Sequence, residues 1–514
     1  MSNAISTALS ATRRRADLAV LGDGGAVDVV VIGGGITGAG IALDAATRGL
    51  SVVLVEKHDL AFGTSRWSSK LVHGGLRYLA SGNFGIARRS SVERGILMTR
   101  TAPHLVSAMA QLVPLLPAMS RSQRALVRVG FQAGDVLRAL AGTKSSVLPR
   151  PRKISAAEAI AMAPTVRRDG LDGALLAYDG QLIDDARLVI GVARTASLHG
   201  ARILTRVSAA AATGNWVLLT DELTGESLEL HARTVINATG VWAAEVDPTI
   251  KLRPSRGTHL VFDAAAFGNP TAALTIPIPG ETNRFVFAMP EQLGRVYLGL
   301  TDEEAPGPIP DVPEPTAGEV GFLLDTVNTA LQTALTTADV TGAYAGLRPL
   351  IDAGEGRTSD LSRDHAVLES GNGLFSVVGG KLTEYRLMAQ DVLDRAIEAR
   401  GISAQPCRTH DLPLIGAPAS PVAQKRYPGD LPASLAARYG TEATSVVARA
   451  QCERPLAPVA EGIDVTRAEF EFAVTHEGAL DVGDILDRRT RIGLVATDRE
   501  RAVGAAEEFL AYAD

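Results

Sequence analysis

The sequence predicts an α/β protein with an added α-helical part: a Rossmann-type dinucleotide-binding domain, an inserted mixed-sheet domain and a helical C-terminal domain. Three observations support this fold class. Residues 28–56 read as strand, glycine turn, helix and strand; strand-like segments recur between residues 216 and 302; and beyond residue 405 the segments are helical. The length of 514 residues also exceeds what one hydrophobic core usually supports.

The first element is the segment of residues 28–56, DVVVIGGGITGAGIALDAATRGLSVVLVE. Gly33, Gly35 and Gly38 form the pattern GxGxxG, which allows a tight turn, close backbone approach to a pyrophosphate, and packing of helix on strand. The pyrophosphate then lies at the N-terminus of the following helix. Glu56 ends the second strand, where it can accept hydrogen bonds from the ribose diol of an unphosphorylated adenosine.

The glycine turn does not separate FAD from NAD, but later segments favour FAD. TVINATG (234–240) ends an apolar strand in small residues, and LFSVVGGKLTEYR (374–386) runs from a strand through glycines into a helix start. The loop after the second strand adds hydroxyl groups that can bond cofactor oxygens. The predicted FAD contacts are Gly33, Gly35, Gly38, Glu56, Thr64, Ser65, Ser69, Lys70, Ala238, Gly240, Gly380, Lys381 and Leu382.

Changes of pattern along the chain predict the domain boundaries. WVLLTDELTGESLEL (216–230) reads as a β-hairpin around a Thr-Gly turn, and LPLIGAPAS (412–420) reads as a linker. The predicted parts are an N-terminal extension (1–27), an FAD-binding domain (28–404) with a substrate or cap domain interleaved at roughly 80–180 and 245–345, and a helical C-terminal domain (405–514). The extension is not expected to be a targeting peptide, because cleavage after the apolar run would destroy the glycine turn.

Composition and charge exclude several classes of protein. The net charge of -6 gives no basis for a nucleic-acid partner. Cys407 and Cys452 are far apart without CxxC spacing, so neither a disulfide framework nor a metal site is predicted, and a reducing cytoplasmic setting is expected. No stretch reaches the ~18 uncharged apolar residues of a spanning helix, so membrane contact is expected to be peripheral.

Six runs beyond the glycine turn carry a family resemblance. They are TSRWSSKLVHGGLRYL (64–79), DDARLV (184–189), YAGLRPL (344–350), SRDH (362–365), GGKLTEYR (379–386) and HEGALDVGDILDRRT (476–490). Together they resemble the FAD-dependent glycerol-3-phosphate dehydrogenases of the respiratory, membrane-associated type, and the match covers nearly the whole chain. Arg66 and Trp67 stand where family members often carry small residues, so the local loop geometry is expected to differ.

The resemblance implies an enzyme that oxidises the C2 hydroxyl of sn-glycerol 3-phosphate to a ketone, giving dihydroxyacetone phosphate. It implies hydride transfer to FAD, reoxidation by a membrane quinone, and a cytoplasmic protein held peripherally at the inner face of the cell membrane. A homodimer is compatible with it. The residues that it implies for the substrate pocket are Arg77, Tyr78, Arg348, Lys381 and Thr383, with Arg363 as a weaker candidate.

The residue types agree with a phosphorylated hydroxy substrate. A phosphate dianion needs cationic donors, which Arg77, Arg348 and Lys381 supply within runs rich in glycine or proline. Oxidation at C2 also needs a base for the hydroxyl proton, and His73 and His259 lie in suitable surroundings. His73, His259 and Arg348 are the predicted catalytic residues, and the sequence does not decide which histidine is the base.

Residues 112–140 are predicted to contain a basic amphipathic helix. Arg121, Arg124 and Arg128 fall on one helical face, as in helices that lie on anionic bilayers. An ordinary amphipathic surface helix explains the pattern equally well. Only the family resemblance favours the interpretation that this helix lies on a membrane.

Three other functions remain open at this stage. A glycerol-3-phosphate oxidase would share the pocket and pass electrons to oxygen. An amine-oxidising flavoprotein of the glycine-oxidase type would bind a carboxylate and an amine, which the cluster of Arg77, Arg348 and Lys381 disfavours. A flavin-bearing scaffold or redox sensor would need no cationic pocket beside its flavin.

Overall fold

The computed structural model describes residues 7–75, 83–281, 284–352, 364–418 and 431–513. In chain order the strands are β1 (Val27–Ile32), β2 (Val52–Glu56), β3 (Leu71–Val72), β4 (Val106–Pro114), β5 (Arg152–Ile154), β6 (Ala174–Leu182), β7 (Arg202–Thr205), β8 (Val207–Ala212), β9 (Trp216–Asp221), β10 (Ser227–Asn237), β11 (Ser255–Asp263), β12 (Ala273–Pro277), β13 (Phe285–Glu291), β14 (Arg295–Gly299), β15 (Glu303–Glu304), β16 (Gly342–Arg348), β17 (His365–Glu369) and β18 (Phe375–Gly379). The helices are α1 (Ala11–Gly22), α2 (Ile36–Thr47), α3 (Phe84–Ile96), α4 (Arg121–Leu140), α5 (Ala156–Met162), α6 (Asp185–Leu198), α7 (Ala243–Val246), α8 (Ala317–Asn328), α9 (Tyr385–Arg400), α10 (Ala433–Tyr439), α11 (Ala443–Arg449), α12 (Arg467–Thr475) and α13 (Ala496–Leu510).

The first sheet has the strand order β17–β18–β10–β1–β2–β7 and carries the hairpin of β8 and β9 on β10. Strands β18, β10, β1, β2 and β7 are parallel, so their carboxyl ends meet at one edge. At that edge Ile32 pairs with Asn237 on one side and with Val55 on the other. The predicted strand–helix–strand unit is confirmed as β1, α2 and β2, and the predicted hairpin is confirmed as β9 and β10.

The second sheet is mixed, as predicted, with the order β15–β11–β14–β13–β12–β4–β6–β3. Strand β16 joins β11 and β5 joins β6, while β12 and β4 form the parallel pair among antiparallel neighbours. Its strands come from residues 71–182 and 255–348, on both sides of the hairpin in sequence. The second sheet is therefore formed by two chain segments, and after each of them the chain continues into strands of the first sheet.

Helices α2, α6 and α9 cover one face of the first sheet. Ala39, Val189 and Val392, one from each helix, are fully buried in the largest apolar cluster. Small residues let α2 pack closely, because a Cβ at Gly40 would come within 2.8 Å of the Tyr385 ring. This packing holds the N-terminus of α2 against the carboxyl edge of the sheet.

The C-terminal helices have an apolar core of their own and are tied to the first sheet by buried ion pairs. Phe470 and Phe509 are fully buried in that core. Arg488 and Arg489 both bind Asp59, which follows β2. The segment of residues 9–14 also links the two parts, since the N–H of Leu9 donates to the carbonyl of His476 at 2.9 Å and Arg14 of α1 donates to the carbonyl of Thr205 at the end of β7.

The helix predicted within residues 112–140 is confirmed as α4. Residues 106–114 form strand β4, so the segment 112–140 is helical only from Arg121, the first residue of α4. The boundary has a local cause, because Ser120 and Gln123 form a capping box after Pro117. Across the described ranges, no helix combines the length and apolar character needed to cross a bilayer.

Candidate active site

A cavity of about 1290 Å³ opens at the carboxyl edge of the first sheet and is lined by residues of both sheets. Its volume exceeds the few hundred cubic ångströms typical of sites for one small molecule, so there is room for a dinucleotide and a substrate. The predicted site residues that line it are Gly33, Gly35, Glu56, Thr64, Ser65, Ser69, His73, Ala238, Gly240, His259, Arg348, Gly380, Lys381, Leu382 and Thr383. Of the remaining predictions, Gly38 and Lys70 lie elsewhere, and Arg77, Tyr78 and Arg363 fall outside the described residues.

The glycine turn at the end of β1 has the geometry that each predicted glycine requires. Gly33 has φ of 111°, and a Cβ there would lie 2.6 Å from the carbonyl oxygen of Ala238. Gly38 lies under the turn, where a Cβ would lie 1.9 Å from the carbonyl oxygen of Gly33. Gly35 caps α2, and the N–H of Ile36 donates to Ser65 Oγ at 2.9 Å. The helix N-terminus therefore faces the cavity beside a hydroxyl, as phosphate binding demands.

Glu56 closes the same end of the cavity. Its Oε2 accepts the N–H of Gly34 at 2.6 Å, and its Oε1 accepts the N–H of His58 at 2.9 Å. Burial raises the pKa of Glu56, and these two N–H groups oppose that shift. The carboxylate is thus held rigidly at the end of β2, where an adenosine ribose is expected.

Two further backbone segments approach the glycine turn, as the strand ends predicted. Ala238 and Gly240 follow β10, and Gly240 has φ of 62°. Gly379 ends β18 and Gly380 follows it, with φ of 76° and 80°, before a short 3-10 turn that leads into α9. Because these positions lack bulky side chains, the backbone itself forms the wall of the cavity there.

The turn of residues 66–70 after β2 contributes hydroxyl groups, but Lys70 departs from the prediction. Ser69 lines the cavity, and its Oγ lies 2.9 Å from Nε2 of His259. The ammonium group of Lys70 is buried away from the cavity, where it donates to Asp185 Oδ2 at 3.0 Å and to two carbonyl oxygens of the turn. The negative charge of Asp185 draws the ammonium inward, so Lys70 does not reach the cofactor space.

His259 is a buried neutral side chain at the cavity wall. Its ring stacks on Tyr344 at 4.7 Å with an interplanar angle of 11°. Burial, helped by the nearby charges of Lys70 and Arg348, holds the pKa of His259 well below its usual range. Nδ1 of His259 is buried and has no hydrogen-bond partner among the residues that the structure describes.

His73 lines the cavity just after β3, on a segment that is firmly anchored. The next residue, Gly74, donates its N–H to Asp179 Oδ1 at 3.1 Å, and Asp179 is paired with Arg94 at 2.7 Å. A Cβ at Gly74 would lie 2.2 Å from the guanidinium of Arg94, so glycine is required here. This anchoring directs the HGG segment along the cavity wall.

Arg348 ends β16 with its guanidinium in the cavity wall. It donates to Ser255 Oγ at 3.2 Å, to Asp302 Oδ1 at 3.3 Å and to the carbonyl of Thr301 at 3.3 Å. Gly257 makes room for it, because a Cβ there would lie 2.3 Å from Nη2. Its bonds to the protein therefore orient the guanidinium without enclosing it.

Lys381 and Thr383 also line the cavity, just after β18. The ammonium of Lys381 donates to Ser90 Oγ at 2.9 Å and to Glu384 Oε1 at 3.0 Å. Burial lowers the pKa of Lys381, and the charge of Glu384 opposes the shift. Thr383 is buried beside it in the 3-10 turn. The structure thus brings two cationic groups from distant segments to one cavity.

Some residues in the cavity wall or directly behind it were not predicted from the sequence. Tyr344 supports the His259 ring, and Asp302 orients Arg348, but both needed knowledge of the strand pairing between β11 and its neighbours. Trp67 lines the cavity and stacks 4.2 Å below the guanidinium of Arg66. The unusual Arg66–Trp67 pair was the available signal, and the structure shows that it fills the turn by stacking.

An apolar arm of the cavity reaches the surface at α4. It is lined by Phe84, Leu126, Val129, Phe285 and Phe287. Leu126 is 48% and Val129 65% exposed on α4. The arm therefore connects the cavity with an apolar patch of the surface.

These features fit a bound FAD on structural grounds. The turn at Gly33 admits no side chain, the α2 N-terminus faces the cavity, and Glu56 stands at the end of β2. The cavity then continues to Ser69 and Lys381, which is the extra length that a flavin needs beyond its adenosine end.

Comparison with known proteins supports the same interpretation. Residues 28–386 match the family of FAD dependent oxidoreductases, and residues 407–512 match the C-terminal domain of alpha-glycerophosphate oxidase. The chain is 73% identical to glycerol-3-phosphate dehydrogenase 1 of Mycobacterium tuberculosis over 98% of this chain and 99% of that protein. It is 34% identical to a mitochondrial glycerol-3-phosphate dehydrogenase of Arabidopsis thaliana over 94% of this chain and 82% of that protein.

Solved structures give the same architecture. The glycerol-3-phosphate dehydrogenase of Bacillus halodurans, solved in complex with FAD, has a TM-score of 0.74 and 27% identity and covers 97% of this chain and 94% of its own. The L-alpha-glycerophosphate oxidase of Mycoplasma pneumoniae shares the fold with a TM-score of 0.57 and 18% identity over 76% of this chain and 99% of its own.

Proposed function

Because this chain belongs to the family of FAD-dependent glycerol-3-phosphate dehydrogenases, we propose that it oxidises sn-glycerol 3-phosphate at C2 to dihydroxyacetone phosphate, with a membrane quinone as the final acceptor. One observation carries the proposal. The glycine turn, two cationic side chains and two histidines, which lie far apart in sequence, line one cavity.

The residues that would hold FAD are those of the strand ends. The backbone of Gly33 and Gly35 and the N-terminus of α2 would receive the pyrophosphate, and Glu56 would accept the ribose diol. Gly380 and Ser69 lie where the cavity continues toward the reacting groups. When bound, FAD supplies the acceptor for the hydride that leaves C2.

Arg348 and Lys381 would bind the phosphate of the substrate. Arg348 offers forked donors and Lys381 a point charge, and both are already oriented by neighbouring carboxylates. Thr383 adds a hydroxyl beside Lys381. Arg77 and Tyr78 remain proposed members of this pocket from the resemblance alone.

His73 is the better candidate for the base that takes the proton from the C2 hydroxyl. The depressed pKa of His259 makes its neutral ring a poor proton acceptor near neutral pH. His259 instead suits an orienting role, since Ser69 engages Nε2 and Nδ1 has no partner among the described residues. In this assignment His73 takes the proton and His259 holds a polar group of the substrate or cofactor.

The apolar patch on α4 supports docking on a membrane surface. Leu126, Val129, Val136 and Leu140, the α4 apolar stripe, are between 48 and 69% exposed and share one helical face. Arg121 and Arg128 are exposed on the same helix and would face anionic headgroups. A quinone in the bilayer would reach the cavity through the apolar arm, on the cytoplasmic side of the membrane.

Anaerobic reduction of the flavin tests the reaction. Purified holoenzyme mixed with sn-glycerol 3-phosphate should lose its oxidised flavin absorbance, and a water-soluble quinone should restore it faster than oxygen does. If the substrate leaves the spectrum unchanged, the proposed reaction is wrong. Faster recovery with oxygen would assign the chain to the oxidases instead.

Vesicle binding tests the membrane surface separately. Val136→Asp with Leu140→Asp should weaken binding to anionic vesicles by about 100-fold or more, because each of the two buried apolar side chains is worth about 1.5 kcal/mol or more and about 1.4 kcal/mol is tenfold in affinity. Leu198→Asp, at an exposed position on α6, is the matched control. Equal vesicle binding by both variants would remove α4 from the docking surface.

A further inference from the structure

A buried charge cluster lies beneath the turn of residues 66–70, on the side away from the cavity. Lys70 and Asp185 form an ion pair of 3.0 Å in which both side chains are enclosed. Arg491, from the C-terminal helical domain, is also buried and lies 3.2 Å from Asp184. Burial of so many charges is costly unless each is paired and held in place, so a cluster of this kind needs an explanation.

Asp185 holds the turn by accepting hydrogen bonds from the backbone N–H and the hydroxyl group of Ser68. Its Oδ2 accepts the N–H of Ser68 at 2.9 Å and the Ser68 hydroxyl at 2.7 Å, in addition to the ammonium of Lys70. Lys70 has φ of 56°, which is unfavourable for a residue other than glycine. The ion pair therefore keeps the turn in a conformation that the chain would not adopt by itself.

Arg491 holds the other end of the turn. Its Nη2 donates to the carbonyl oxygen of Arg66 at 2.6 Å and its Nη1 donates to that of Asp487 at 2.7 Å. The two forked donors thus join the turn to the C-terminal domain. Leu494 and Val495, which follow Arg491, pack against Trp67 and Tyr344 and extend the same contact.

These contacts fix the position of Ser69 beside His259. Its hydroxyl meets Nε2 of His259 at 2.9 Å, while the Tyr344 hydroxyl, whose ring stacks on His259, donates to the carbonyl of Ser68 at 3.0 Å. A shift of the turn would move both contacts of the imidazole at once. The C-terminal domain is thereby linked to a side chain of the cavity wall.

We propose that Arg491 is a positioning residue for the active site: with Asp185 and Lys70 it fixes the turn of residues 66–70 so that Ser69 orients His259. The inference rests on the proposed function for its kinetic test only. A positioning role of Arg491 gives the C-terminal domain a part in the reaction. Among the residues that the structure describes, this domain contributes none to the lining of the cavity.

The test compares two buried arginines in holoenzyme. Arg438 is the matched control, because it binds Glu469 at 2.6 and 3.0 Å and the carbonyl of Asp464, yet lies within the C-terminal domain. Arg491→Met should lower the rate of anaerobic flavin reduction per bound flavin by about 10- to 100-fold, as small displacements of reacting groups do. Arg438→Met should stay within about twofold, because it is distant from the cavity.

A second readout needs no substrate. Diethyl pyrocarbonate modifies accessible neutral histidine, so His259 should be protected in the wild-type protein and labelled in Arg491→Met. His104, which is also buried but not in contact with the turn, should stay protected in both. Arg491→Lys, which keeps the charge and loses the fork, should fall between wild type and Arg491→Met, and it replaces that variant if the latter does not retain flavin.

Two results would overturn the positioning role. One is equal reduction rates per bound flavin in the Arg491 and Arg438 variants. The other is labelling of His104 together with His259, which would show general loosening of the fold. If wild-type holoenzyme is not reduced by glycerol 3-phosphate, the proposed function fails, whereas the labelling comparison still decides the role of Arg491.

Discussion

The two halves of the cavity are built by different means. The nucleotide half, formed by the glycine turn and Glu56, comes from one continuous segment in which Gly38 packs against the carbonyl of Gly33 and Glu56 accepts the N–H of Gly34. The reaction half, formed by His73, His259, Arg348 and Lys381, comes from four distant segments joined through side chains. Binding in the nucleotide half is therefore sensitive to a single atom added next to the backbone, whereas the reaction half depends on the charge and orientation of its side chains.

The largest effect is expected in the nucleotide half. Gly38→Ala places a methyl group 1.9 Å from the carbonyl oxygen of Gly33, and neither backbone segment can retreat. Purified protein should retain less than about a tenth of the wild-type flavin content, measured by absorbance, because overpacking at such a contact displaces the turn. Gly191→Ala, in a helix with open space at that position, is the control. Normal flavin content in Gly38→Ala would mean that the turn is more adaptable than its geometry indicates.

The chemical step should fail in the reaction half without loss of the cofactor. His73→Asn should retain FAD and reduce the anaerobic reduction rate by about 100-fold or more, as expected for removal of a general base. Stopped-flow absorbance measures the rate. The control is His410→Asn, which replaces an exposed histidine. A full rate in His73→Asn would exclude His73 as the base.

The third largest effect is expected on substrate affinity when Arg348 is replaced. Arg348→Met should raise the KM for glycerol 3-phosphate about 100-fold while FAD remains bound, since charge-assisted hydrogen bonds are worth about 1.5–3 kcal/mol. Arg348→Lys should give an intermediate KM, because the charge remains and the fork is lost. Steady-state kinetics with measured flavin content would check this. Loss of FAD in place of affinity would move Arg348 to the cofactor site.

The smallest effect is a pH dependence at Lys381. The pKa of this buried lysine lies below its usual range, and only the protonated form attracts phosphate. Affinity should therefore be complete at neutral pH and fall as the pH rises through the lowered pKa, so that KM rises by about tenfold at alkaline pH. In Lys381→Arg the charge persists, and KM should change little over the same range. Parallel pH profiles for both proteins would show that another group titrates.

Local patterns were enough for the nucleotide half. The strand, the turn and the helix around Gly33 follow from residues 28–56, and the hairpin around Thr-Gly was predicted in the same way. The helix within residues 112–140 was predicted from its pattern, but its start was not, because periodicity does not distinguish the apolar run of strand β4 from a helix. A capping box at Ser120 marked the true start.

The reaction half could be predicted only in part. The resemblance implied Arg348 and Lys381, and the need for a base pointed to His73 and His259; all four line the cavity. It could not indicate that Lys70 turns inward to Asp185, because that ion pair depends on where α6 begins relative to the turn.

The sequence by itself determined the dinucleotide-binding fold, since strand periodicity and glycine geometry are properties of short segments, and its resemblance to a known family implied the cofactor and the oxidoreductase activity. The tertiary structure alone decided that burial lowers the pKa of His259, that Lys70 is buried, and that Arg491 of the C-terminal domain contacts the turn beside the cavity. These facts depend on burial and on contacts between segments hundreds of residues apart, and the free energy of a buried charge is set by its neighbours in space.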